Sequence, residues 1–389
     1  MIPLLTFLNE SLQTTLIEGA IAHFGKAPGP EGIGKEAPKT AQYQEEVNMK
    51  KSVFLGALTM AGLAAGAAMA QDSSTLAAVQ ERGALKCGVN PGTPGFAAPD
   101  ANGKYIGFDV DLCRAVAAAV LGDAEKVEYT PLTSAVRFTA LASGEVDMLA
   151  RNTTWTFSRD VDLKNTFVGV NYYDGQGFMV PKALGVSSAK ELAGATVCIE
   201  TGTTTELNLA DYFRVNNMDY EPVPVESFTE AQTQFLAGAC DVYTTDASAL
   251  AASRASFETP EAYVVLPEII SKEPLGPLVR HGDDNWGDIV RWTLNAMITA
   301  EEFGVTSANA PELVKGTENP EINRLLGVEG ELGAMLGLDN AWAYNVITQV
   351  GNYGESFEKN IGENTPVGLA RGLNALWTEG GLIYSPPFR

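Results

Sequence analysis

The sequence predicts an α/β protein of two lobes joined by a two-segment hinge. Three observations lead there. Strand and helix patterns alternate from Leu85 to about residue 150, alternate again from Gly175 to about residue 267, and are followed by a long helical tail. If the tail returns to the first set, the chain crosses between lobes twice at adjacent points, and two such crossings make a hinge.

The first set opens with LKCGVN (85–90), a short apolar run that ends in a Pro/Gly-rich loop. GFDVDLCRAVAAAVLG (107–122) follows with Val110, Cys113, Val116, Ala117, Val120 and Leu121 at helical spacing, and Gly122 stops it. KVEYTPL reads as a strand, SAVRFTALASGE as a helix opened by Ser134, and VDMLA as a third strand. Strand–helix–strand order implies right-handed crossovers and a mostly parallel sheet. The run RNTTWTFSRD (151–160) therefore lies just past the carboxyl end of a strand, where open α/β sheets bind ligands.

The second set contains the strands GQGFMVPK, TVCIETGT, YEPVPVES, CDVYTTDA and YVVLP. Between them stand SAKELAG, a short helix, and the longer helices TTELNLADYFRVNN, FTEAQTQFLAGA and DASALAASRASF. It repeats the first architecture: SGEVDMLARNTT and AGACDVYTTDAS both run from a helix through glycine to an Asp that opens a strand. VNYYDGQG (170–177) and KEPLGPL (272–278) bracket this set. The resulting division is 71–172 plus 277–389 for lobe 1 and 173–276 for lobe 2. The tail is expected to pack on lobe 1.

The start of the chain reads differently. Met49-Lys50-Lys51, an apolar stretch, and Ala68-Met69-Ala70 have the order of a secretory signal peptide over 49–70, with cleavage after Ala70. Residues 1–48 read as a disordered upstream extension, with translation starting at Met49. The formal charge is −22, and removing residues 1–70 takes five basic and six acidic residues and leaves −21. That balance excludes nucleic-acid and anionic-membrane binding, which need clustered Lys and Arg.

Four cysteines in an exported chain suggest disulfides. Three pairings are possible, and four buried thiols are the alternative. Cys87–Cys113 and Cys198–Cys240 are favoured, because each stays within one lobe and leaves the hinge free. Only His281 remains outside the leader, in a polar turn, so histidine catalysis and histidine metal sites have little to build on. No C-x-x-C pair and no phosphate-binding G-x-x-x-x-G-K-[ST] run occurs. No cofactor and no metal is expected.

GFDVDLCRAVA, SGEVDMLARNTTWTFSRD and KEPLGPLVRHGDD, in this order behind a signal peptide, resemble the periplasmic amino-acid-binding proteins of ABC importers over roughly residues 76–300. ETGTTTELNLADYF and the C-terminal ARGLNALWTEGGLIYSPPFR resemble the general L-amino-acid or Glu/Gln/Asp/Asn branch. The resemblance implies the two-lobed periplasmic-binding-protein fold, each lobe a mixed sheet flanked by helices. It implies no enzymatic activity, a periplasmic monomer, a free L-amino acid as ligand and a membrane permease as partner. Arg159 matches the family's carboxylate-binding Arg, with Asn152 and Thr154 beside it, and Asp246 matches the Asp that grips the α-amino group. Thr203 and Thr204 are positioned to offer hydroxyls and N–H groups to the carboxylate from the opposite lobe. Ser134 and Arg137 match positions that bind a side-chain carboxylate, Arg151 is a further side-chain contact, and Phe96 and Trp155 are expected to wall the cleft.

Each assignment has a plainer alternative: a surface ion pair for Arg159, a helix cap for Asp246, a helix-start ion pair for Arg137, and core packing for Phe96 and Trp155. Two departures from the family, PGTPGFAAP in the first loop and Glu200 where some amide binders carry Lys, bear on ligand choice. A periplasmic enzyme such as a dehydratase on the same fold is the functional alternative, with Glu200 as its one candidate acid or base. A sensory domain would need an attached membrane helix or DNA-binding segment.

Overall fold

The computed structural model describes residues 74–389. The expectations for residues 1–48, for the signal peptide 49–70 and for cleavage after Ala70 lie outside the described residues.

Helix α1 (Thr75–Arg82) starts at Ser74, whose hydroxyl accepts from the Ala77 N–H, and leads into β1 (Leu85–Val89). A small antiparallel pair, β2 (Ala98–Pro99) and β3 (Tyr105–Ile106), follows. Then come α2 (Phe108–Leu121), β4 (Val127–Pro131), α3 (Arg137–Ala142), β5 (Met148–Leu149) and β6 (Asn165–Phe167). Twelve of the fourteen α2 residues are buried, as its apolar circumference demands. The chain crosses through β7 (Tyr172–Asp174) to β8 (Gln176–Pro181), β9 (Thr196–Glu200), α4 (Thr204–Val215), β10 (Glu221–Val225), α5 (Phe228–Leu236), β11 (Val242–Asp246), α6 (Ala247–Ser256) and β12 (Tyr263–Val265). It returns through β13 (Glu273–Leu275) to β14 (Leu278–Arg280) and the long α7 (Asp284–Glu302).

Two five-stranded sheets result, in the orders β4-β1-β5-β14-β6 and β10-β9-β11-β8-β12. Each has three parallel strands and then an antiparallel one, because the fourth strand enters from the hinge side. The short repeat in the sequence marks equivalent central strands. Asp147 accepts the Lys86 N–H at 2.8 Å before β5, and Asp241 accepts the Thr196 N–H at 3.0 Å before β11. Each Asp thus satisfies a backbone donor near the start of the neighbouring strand. Two sequence expectations are corrected. Ser134 lies in a turn before α3, which begins at Arg137, and SAKELAG forms only a 3₁₀ turn over Ala189–Glu191.

Cys87 lies against Cys113 and Cys198 against Cys240 at disulfide distance, with Cα atoms 6.1 and 5.6 Å apart. Neither pair spans the two sheets. The hinge strands β7 and β13 pair antiparallel with each other, Asp174 opposite Glu273 and Tyr172 opposite Leu275.

The tail contains α8 (Ala310–Leu313), α9 (Pro320–Leu325), α10 (Leu332–Leu336), α11 (Trp342–Val350) and α12 (Tyr353–Asn360). Helix α11 packs on α2 and α7, and Gln349 bonds the Gly122 carbonyl and the Ala124 N–H beyond the end of α2. The tail also reaches the hinge. The Tyr353 hydroxyl donates to the Asn171 carbonyl at 2.8 Å, and Phe357 stacks on Tyr172 at 6.3 Å. Asn374 accepts from the Tyr173 N–H at 2.6 Å and donates to its carbonyl at 3.1 Å.

Candidate functional site

The run after β5 is pinned from three sides. Arg151 Nε donates to the Leu132 carbonyl at 2.8 Å. Asn152 takes a left-handed conformation (φ 43°), and its N–H donates to Asp109 at the start of α2, at 3.0 Å. Asp109 also accepts from Asn171 at 3.2 Å, and its burial pushes its pKa up to about 6. One π-helical turn, Ser158–Asp162, then aims Arg159 back inward. Its carbonyl accepts from Asn165 at 2.9 Å, and its Nη1 donates to the Thr154 carbonyl at 3.0 Å. The guanidinium groups of Arg137 and Arg159 lie 4.8 and 5.3 Å from the ring centre of Phe138.

The other lobe faces this run with the end of β9, the amino terminus of α4, and Asp246 at the end of β11. Asp246 occupies the N-cap of α6 but makes no side-chain capping bond, so its carboxylate is left to the cavity. The lobes are closed on each other: the Thr154 and Thr204 hydroxyls are 3.4 Å apart, and Arg151 is 3.5 Å from Glu200. Between them lies a cavity lined by residues of both lobes.

Its lining is polar and charged. Arg137, Arg151 and Arg159 meet Glu200 and Asp246, with Asn90, Thr93, Ser134, Asn152, Thr154, Thr203, Thr204, Thr205 and Thr245 around them. Phe228 and Ala249 supply apolar surface. Burial, then the neighbouring Arg151 and Arg159, pull the Arg137 pKa well below its ordinary value. Burial alone leads for Arg151, which is lowered, and for Arg159, lowered to about 10. Burial and then the nearby Asp174 and Glu273 raise the Asp246 carboxyl well above the usual carboxylate range. Five buried side-chain atoms without a hydrogen-bond partner border the cavity: Thr93 Oγ1, Arg137 Nε, Arg151 Nη2, Asn152 Oδ1 and Glu200 Oε1. Buried polar groups are normally paired, so this cavity is built for a ligand rich in donors and acceptors. Among the described residues no cluster of His, Cys, Asp and Glu is arranged to hold a metal ion.

Eight of the ten residues singled out from the sequence line this cavity, and Arg151 does too. Phe96 and Trp155 do not. Phe96 is buried in the lobe 1 core, with edge-to-face contacts to Phe108 and Tyr172. Trp155 follows Thr154 on the opposite side of the extended chain. It stacks on Phe167 at 5.6 Å and donates to Asp160 at 2.7 Å, with 40% of its surface exposed. The hydroxyls of Thr203 and Thr204 are also engaged elsewhere. Thr203 donates to the Glu200 carbonyl at 2.7 Å and Thr204 to Glu273 at 2.9 Å. What this corner offers a carboxylate is the free N–H groups that begin α4. Asn90, Thr93 and Phe228 were missed because nothing in their local sequence separates them from ordinary loop and helix-start residues. His281 is exposed in its turn, away from the cavity.

Residues 85–308 match the profile of the bacterial extracellular solute-binding proteins, family 3. The chain belongs to this family. A glutamate/glutamine/aspartate/asparagine-binding protein of Rhodobacter capsulatus, BztA, is 65% identical over 341 residues, which cover 88% of this chain and all of the relative. The general L-amino acid-binding periplasmic protein AapJ of Rhizobium johnstonii is 57% identical over 343 residues, again 88% of this chain and all of the relative. Among solved structures, a periplasmic binding protein of Brucella ovis with glutathione bound is 55% identical, with a TM-score of 0.80 over 82% of this chain and all of that one. The family 3 match covers both sheets and the two hinge strands.

Proposed function

We propose that this protein captures L-amino acids in the periplasm, with glutamate, glutamine, aspartate and asparagine as its preferred ligands, and delivers them to the permease of an ABC importer. The observation that carries this reading is the charge of the cavity wall: three buried arginines against two carboxylates. A zwitterion with one further carboxylate complements that wall. Arg159 and the start of α4 take the α-carboxylate. Asp246 takes the ammonium, and Arg137 with Ser134 takes the side-chain carboxylate or amide oxygen. Ligand bound to lobe 1 draws lobe 2 over it, and closure removes water from the ion pairs, which strengthens them. BztA, named for these four amino acids, and AapJ, named for L-amino acids in general, support this reading. Glu200, the one acid or base the sequence offered for a dehydratase, is placed against Arg151.

The test is calorimetric titration of protein freed of endogenous ligand by unfolding and refolding. The panel is the L-amino acids plus glutathione. Binding of the four acidic and amide amino acids, lost in Arg159→Ala and Asp246→Ala, is the expected result. Folded protein that binds no amino acid overturns the proposal.

A further inference from the structure

Glu273 of hinge strand β13 is 2% exposed and stands behind the cavity wall. Its Oε2 accepts from Thr154 Oγ1 of lobe 1 at 2.6 Å and from Thr204 Oγ1 of lobe 2 at 2.9 Å. Its Oε1 accepts from Asn208 Nδ2 at 2.7 Å and from Ser271 Oγ at 2.6 Å. In all four bonds the Glu273 carboxylate accepts. An amide nitrogen only donates, an ionised carboxylate only accepts, and Ser271 Oγ receives the Gln176 N–H at 3.1 Å while giving its own proton to Glu273. A threonine hydroxyl has one proton. The protons of Thr154 and Thr204 are therefore both committed to Glu273.

We infer that Glu273 is a positioning residue for ligand choice: by taking both hydroxyl protons it makes Thr154 and Thr204 acceptors toward the cavity, and so selects a ligand that carries an α-ammonium over the same acid without one. The inference rests on the amino-acid reading of the site. Each threonine turns lone pairs, not protons, to the cavity that Asp246 also borders. An ammonium has three protons to give them. A deaminated acid gives them none and leaves these acceptors unpaired, which is costly in a buried site. Because Glu273 gathers one threonine from each lobe, this acceptor pair exists only when the cleft is closed.

Glu273→Gln tests the inference in the full protein with L-glutamate and glutarate, which differ in the α-amino group. Asn208 and Ser271 both need an acceptor, so the new amide oxygen faces them and its NH₂ faces the threonines. The two hydroxyls then accept from that NH₂ and turn their protons into the cavity. Glutamate affinity is expected to fall by about tenfold or more, while glutarate affinity holds or improves. Thr204→Val removes one of the two acceptors while the Glu273 carboxylate stays in place, and is expected to show the same selective loss. Equal loss of both ligands in both variants would reduce Glu273 to a lobe tie and overturn the inference, as would unchanged glutamate binding; either leaves the amino-acid reading intact. Wild-type protein that binds neither ligand removes both.

Discussion

Replacing Arg137 with Gln separates acidic from amide ligands. Arg137 is 2% exposed, its Nε has no partner, and the charges that act on it most strongly are two further arginines, ahead of Glu200 and Asp246. It is a buried cation waiting for an anion. A ligand carboxylate and a ligand amide oxygen both accept a hydrogen bond from charge there, worth about 1.5–3 kcal/mol. The Gln amide that replaces it still gives either one about 0.5–1.5 kcal/mol, and only the carboxylate also loses the attraction of a second charge in a buried site. At about 1.4 kcal/mol per tenfold, Arg137→Gln should weaken glutamate by roughly 10- to 150-fold and glutamine by roughly 2- to 12-fold. The wall then holds two arginines against two carboxylates and favours the neutral zwitterion. The assay is calorimetry with both ligands on refolded protein, beside thermal unfolding without ligand. Ligand-free Arg137→Gln should be at least as stable as wild type, because a cation that burial disfavours has gone. Equal losses for the two ligands would refute the reasoning, because Arg137 would then touch only what they share.

Asp246→Asn should weaken every amino acid by about thirtyfold or more, the usual result of removing one partner of a buried charge pair. Because burial raises the Asp246 carboxyl in the empty cavity, capture of an ammonium should release a proton. Affinity then falls as pH is lowered, and calorimetry in buffers of different ionisation heat reads the released proton. Asp109 has its pKa raised by burial from 3.8 to about 6. The native state therefore binds the proton more tightly than the unfolded chain, and this group's contribution to stability grows as pH falls from about 7 toward 4. Wild type should accordingly gain on Asp109→Asn over that range, by on the order of 2 kcal/mol, in denaturant titrations at each pH. Trp155→Ala should leave ligand affinity unchanged, whereas Phe96→Ala should cost about 3–5 kcal/mol of stability.

The contrast between these two aromatics shows where the sequence stops speaking. Composition and position put both near the cleft. Which way a side chain points depends on the register of an irregular segment against β13, where Thr154 bridges to Leu275 and the Trp155 N–H bonds the Pro274 carbonyl. That register is a long-range fact. The place of the run that carries Arg159 was legible because a polar run directly after an apolar strand is a local signal, while the choice of Arg159 within it came from the family resemblance. Asp147 and Asp241 were legible because one chemistry recurs at both strand starts. The direction of a hydroxyl was not legible: Thr203 and Thr204 look like free donors until the Glu200 carbonyl and Glu273 appear beside them. Glu273 lies 119 residues from Thr154 and 69 from Thr204, so only the folded chain brings the three together.

The family profile ends at residue 308, yet the polypeptide beyond it is bonded to β7 and to the residue before it: Tyr353 holds the carbonyl of Asn171, and Asn374 holds both backbone groups of Tyr173. Homology and folding therefore draw different borders on this chain. A version trimmed to the shared core would keep every ligand contact named above and lose the splint on one of its two crossing strands. Gene fragments, truncated alleles and binding sensors cut at residue 308 should be judged as altered machines, with their own rates of opening, rather than as shorter copies of this one.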